Sequence, residues 1–102
     1  MKFLVSWTTR SGGSAADNEA AAKRSLELFS KWSPPESVTF HAFVSRLDGN
    51  GGFALVEGDD PASLSEAAAK FGPYFDFHSY PVADVTEVVA VANEAVAWRE
   101  SV

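Results

Sequence analysis

Apolar residues recur at two periods along this chain, alternately over short runs and at three- and four-residue intervals over longer ones. The runs Val38–Leu47 and Phe53–Glu57 flank Asp48-Gly49-Asn50-Gly51-Gly52, a segment whose residues adopt positive φ at little cost. This predicts a β-hairpin with its tip there. In Asp59-Asp60-Pro61, Asp60 is placed to cap a helix and Pro61 suits its first position, where no donor is lost. That helix runs to about Phe71 with Leu64, Ala68 and Phe71 on one stripe, its alanines permit close approach to a sheet, and Gly72-Pro73 ends it. Upstream, Lys2–Thr9 (KFLVSWTT) reads as a strand with Phe3, Val5 and Trp7 on one face and Leu4, Ser6 and Thr8 on the other. Ser14 and Asp17 have capping-box spacing and start a helix near Ala15. Ala22, Leu26, Leu28, Phe29 and Trp32 carry it to about Trp32, before Ser33-Pro34-Pro35. Phe75–Val82 (FDFHSYPV) is a fourth strand whose Pro81 belongs at a sheet edge or strand end. Asp84, with Glu87 three residues on, opens a last helix from Val85 to about Glu100. Its apolar series Val85, Val88, Ala92, Ala95 and Trp98 outweighs the strand preference of its valines.

The predicted order is β-α-β-β-α-β with an extra C-terminal helix, an α+β chain in the split β-α-β pattern. In that pattern two helices cover one face of a four-stranded antiparallel sheet. Such a sheet should alternate apolar with charged residues, yet strict alternation sets Phe40, Ala42 and Val44 against Phe43 and Leu47, and Phe3, Val5 and Trp7 against Leu4. Both faces therefore read as buried, and two helices cannot cover both. A second copy packing sheet against sheet would, which predicts a two-fold homodimer.

At 102 residues the chain reads as one domain, 1–102, and an apolar share of 46% excludes a disordered chain. No apolar run approaches the roughly 20 residues that span a bilayer, and the N-terminus lacks the pattern of a secretory signal, so the expected setting is cytoplasmic and away from membranes. Without cysteine there is no disulfide, thiolate metal site or cysteine nucleophile. A net charge of −6 with scattered basic residues argues against nucleic acid.

His41 and His78, the only histidines, lie on predicted strands and are read first as hydrogen-bonded groups at the sheet or dimer interface; either has the chemistry of a base. Neither has a third ligand at matching spacing, so no metal and no cofactor is expected. Trp7, Phe53 and Tyr80 are candidate walls of a pocket for an apolar or aromatic molecule, against the plainer reading of core and interface packing. Glu57 shares a face with Phe53 and Leu55, where its carboxylate pairs with Arg46 across the hairpin or, if burial raises its pKa, serves as a base. Arg10-Ser11-Gly12-Gly13-Ser14 lacks the ending of a phosphate loop and reads as a connector. Asp48, Asn50 and Asp59 match a calcium loop only in part, and the hairpin explains them better.

FLVSWTT near the start, GGFALVEGDDP from Gly51 to Pro61, and FDFHSYPV from Phe75 resemble the bacterial family known as domain of unknown function 3303. The element order resembles the dimeric α+β barrel superfamily, whose ferredoxin-like subunits appose their sheets. What the resemblance implies is a fold and an assembly. That superfamily includes cofactor-free monooxygenases of polyketide quinones, haem-degrading enzymes and small stress-response barrels, so the fold alone does not settle function. Two expectations follow. One is a homodimer that binds a small apolar or aromatic molecule between sheet and helices. The other, by analogy with the superfamily, is a cofactor-independent oxygenase with His41, His78 or Glu57 as base and Trp7 and Tyr80 as walls.

Overall fold

A hairpin sets the frame, and its geometry explains why glycine stands at its turn. In the computed structural model, which describes all 102 residues, Gly49 and Gly51 take φ of +76° and +117°. A Cβ on Gly51 would lie 1.8 Å from the Trp7 carbonyl oxygen, so a side chain fails there on space as well as on torsion. The elements are β1 (Lys2–Thr9), α1 (Ala15–Ser30), β2 (Thr39–Ser45), β3 (Gly51–Glu57), α2 (Pro61–Phe71), β4 (Phe75–Val82) and α3 (Val85–Ser101). The expected order and types hold. The first helix stops at Ser30 rather than Trp32, where the Lys31 N–H turns back to the Leu28 carbonyl and the Trp32 N–H to that of Phe29.

Each of the first two helices starts on its own side chains. Ser14 Oγ accepts from the Asp17 N–H at 3.1 Å while Asp17 Oδ2 accepts from the Ser14 N–H at 3.2 Å, closing the capping box with Asp in the usual place of Glu. Asp60 accepts from the Ala62 N–H at 3.3 Å and from the Ser63 hydroxyl at 2.7 Å. The Ser63 hydroxyl, and then the backbone N–H groups of Ala62 and Ser63, hold the Asp60 carboxyl below its ordinary range. At α3 the expectation fails in one respect. Asp84 is the N-cap residue but makes no side-chain cap, because its carboxylate goes instead to Lys2 Nζ at 3.2 Å. That bond raises the Lys2 pKa.

The four strands form one antiparallel sheet in the order β2-β3-β1-β4, the ferredoxin-like arrangement. Pro81 lies on β4, an edge strand, where a missing donor is tolerated. Register sorts the side chains. Phe3, Val5 and Trp7 stand opposite Val56, Ala54 and Gly52 under the helices, and Leu4, Ser6 and Thr8 opposite Leu55, Phe53 and Gly51 on the far side. A bulge at His41 corrects the simple alternation expected along β2. Phe40 pairs with Val56 and Ala42 with Leu55, so Phe40 and Phe43 both lie on the helix side while Ala42 and Val44 face away.

Aromatic rings tie helices to sheet. Phe29 of α1 meets Phe43 at 6.1 Å between centroids, and Trp32 meets Phe40 at 6.3 Å and Phe71 of α2 at 5.7 Å. Ala54, Val56 and Phe71 are the buried apolar residues. The far side of the sheet is bare in the single chain, with Phe53 42% and Tyr80 53% exposed beside Leu4 and Val44. The apolar series of α3 likewise meets no cover from its own chain, and no residue of that helix is buried. The chain measures 63 × 30 × 21 Å with a radius of gyration of 18.2 Å, against about 13 Å for a compact chain of this length. No helix is long and apolar enough to cross a membrane.

Candidate functional site

Between the sheet and the first two helices lies a cavity of about 720 Å³. Val5 and Trp7 of β1, Phe43 of β2, Ala54 and Val56 of β3, and Phe75 and Phe77 of β4 make its floor. Leu26 and Phe29 of α1 with Leu64, Ala67, Ala68 and Phe71 of α2 make its roof. The gap has a local cause. The roof helix α2 offers alanines where larger side chains would reach the sheet, so the aromatic contacts gather at the Phe29–Trp32 end and leave the remainder open. Trp7 meets Phe43 edge-on at 5.4 Å, giving the floor a fixed aromatic corner.

Three polar groups around this cavity, Arg10, Asn18 and Ser25, are paired within the chain. Arg10 donates from Nε to the Gly72 carbonyl at 2.9 Å and its guanidinium bonds Asp76 at 2.8 Å, which staples the end of β1 to the connection after α2. Asn18 Oδ1 accepts from the Gly12 N–H at 3.2 Å, and Ser25 Oγ donates to the Ala22 carbonyl at 2.8 Å. The Arg10–Ser14 connector thus serves the helix start and the strand end. The apolar walls therefore dominate what the cavity can recognise.

The candidates on the far face form two separate pairs. His41 Nε2 lies 2.7 Å from Glu57 Oε1, with both side chains partly exposed. The expected Glu57–Arg46 pair does not form, because Arg46 follows the end of β2 with its N–H on the Gly51 carbonyl, whereas Glu57 sits at the opposite end of β3 across from Thr39. Arg46 bonds Asp48 instead. The Asn50 N–H, and then Arg46, hold the Asp48 carboxyl below its ordinary range, so these residues serve the turn. His78 and Tyr80 stack near parallel at 6.5 Å on β4. No group of three or more His, Asp or Glu residues is arranged to hold a metal ion.

The family model described as a domain of unknown function, DUF3303, matches residues 1–96. The chain belongs to this family. No curated protein matches it.

The DUF3303 match runs through the whole sheet and both packed helices and reaches into α3. Within this DUF3303 chain the three aromatic candidates do not share one wall. Trp7 lines the cavity, while Phe53 pairs across from Ser6 and Tyr80 from Leu4, which puts both on the far face. His41, Glu57 and His78 lie on that far face too, separated from the cavity by the sheet. Phe43, Phe75 and Phe77 line the cavity without having been marked as site residues. The available signal was the abundance of phenylalanine in two strands facing an alanine-rich helix.

Proposed function

We propose that this DUF3303 chain works as a cytoplasmic homodimer that holds a small apolar or aromatic molecule between the sheet and helices of each copy. The observation that carries the reading is the cavity of about 720 Å³, inside the range of roughly 300–1,000 Å³ that small-molecule sites occupy. Its aromatic floor and mostly apolar lining suit a ligand that needs an apolar slot and few hydrogen bonds. The bare, apolar far side of the sheet supports the second copy, since two such faces appose in a dimeric α+β barrel. Binding without chemistry is favoured over an oxygenase because a proton acceptor must reach its substrate within about 3 Å or through one water. His41, Glu57 and His78 lie across the sheet from the cavity.

Titration with the neutral fluorophore N-phenyl-1-naphthylamine tests the cavity. The wild-type chain is expected to enhance its emission at one probe per chain. Ala67→Phe, which fills part of the roof, should weaken binding by at least about tenfold while leaving the assembly mass unchanged. No enhancement with the wild-type chain, or equal binding by the two proteins, would remove the proposal.

A further inference from the structure

The chain exposes 7411 Å². A compact monomer of 10.9 kDa exposes about 5,600 Å², so about 1,800 Å² is left over. Four strands of seven or eight residues present a footprint of about 20 × 25 Å, or about 500 Å². Sheet-on-sheet pairing alone therefore leaves most of the excess uncovered, and the element that carries it is α3.

Helix α3 is an undocked helix that is not expected to persist alone in water. Isolated alanine-rich helices are marginal below about 12–15 residues; α3 is only slightly longer, and five of its 17 residues are valine, whose branching disfavours the helix. Its alanines lie on both halves of the helix, but its larger apolar side chains and its glutamates do not mix. At about 100° per residue, Val85, Val88, Val89, Val91, Val96 and Trp98 fall on one half of the circumference and Glu87, Glu94 and Glu100 on the other. Within its own chain Val88 is 57% and Trp98 66% exposed. Arg99, the one charge among the apolar positions, lies in the last turn, where a cation suits the helix dipole and its long stem can reach outward.

We propose that α3 is an exchanged arm, packing its valine and tryptophan face on the body of a second copy of this chain. The inference rests on the homodimer reading and extends it. A second copy is the occupant the structure favours, for two reasons. The exposed Tyr80 and Val82 of β4 run directly into the arm, so sheet pairing brings the arm beside the other subunit, and a two-fold axis then covers both arms at once. The excess of about 1,800 Å² per chain also falls in the range that permanent dimers bury, about 2,000–5,000 Å² over both partners. An anionic lipid surface fits poorly, because the polar half of α3 carries glutamates and no lysine.

The test mixes unlabelled and 15N-labelled full-length chains, lets subunits exchange, and couples glutamates to lysines with a zero-length carbodiimide. Peptides joining Glu94 or Glu100 to a lysine on the body should include pairs of one labelled with one unlabelled chain. The double variant Val88→Lys/Ala92→Lys, at helix-compatible positions, should raise the dimer dissociation constant by about 100-fold or more. A chain that sediments as a dimer but gives only same-label cross-links, or whose double variant dimerises as well as wild type, overturns the arm and leaves the sheet dimer standing. A wild-type chain that sediments as a monomer defeats the dimer reading and the arm with it. Partition of the wild-type chain into phosphatidylcholine vesicles in place of self-association also overturns the proposal.

Discussion

Phe53 offers the most direct mutational probe of the proposed sheet-to-sheet contact. Its ring lies on the far face of β3, paired across from Ser6 and Val44, and is 42% exposed in the single chain. A phenylalanine commands about 200 Å², so about 85 Å² remains for a partner to cover. At about 25 cal/mol per Å² this is worth about 2 kcal/mol per copy and about 4 kcal/mol over a two-fold pair. Whatever the ring buries inside its own chain is lost equally from monomer and dimer, and cancels in dissociation. Phe53→Ala should therefore raise the dissociation constant by about 1,000-fold, read by sedimentation velocity across a nanomolar to micromolar series. Leu47→Ala is the control, since Leu47 is fully exposed beside the hairpin tip. Dissociation constants for Phe53→Ala and wild type within threefold of each other would refute the reasoning, because the far face would then not be the contact.

Other consequences concern the frame that holds the site. Gly51→Ala combines a φ of +117° with a backbone clash and should lower stability to urea by at least about 2 kcal/mol; a smaller loss would mean that the hairpin relaxes. Ser14→Ala removes one half of the α1 capping box and should cost about 1 kcal/mol, seen as a fall in Tm of about 4–8 °C. Asp60 has its folded pKa below the ordinary 3.8, so its contribution is complete above that value and is lost as pH falls through the lowered folded value. The stability gap between wild type and Asp60→Ala, measured by urea titration, should therefore close on acidification below pH 3.8, and a gap that widened would contradict the assignment.

The parts of this fold that could be read from the sequence are those decided by neighbours along the chain. Ser14 with Asp17, Asp60 before Pro61, and the glycines around Asn50 each satisfy or strain the backbone within a few residues, so their consequences are local. The single bulge at His41 is different. It changes the phase of β2 and brings Phe40 and Phe43 to one side, and no residue type announces it. Assigning Trp7 and Phe53 to opposite faces needed the β1–β3 register. The Glu57–Arg46 pairing failed for the same reason, since facing along a strand is legible while position across a hairpin is not. The cavity is a gap between layers, set by how alanine-rich α2 lies over aromatic strands, and the exposure of α3 along its whole length follows from packing that no local signal records.

Native mass spectrometry of the full chain, taken directly from the cells that express it, tests the central claim most directly. The account predicts a complex of twice 10.9 kDa that carries a small apolar molecule, lost on unfolding. A bare species of 10.9 kDa at micromolar concentration would contradict it.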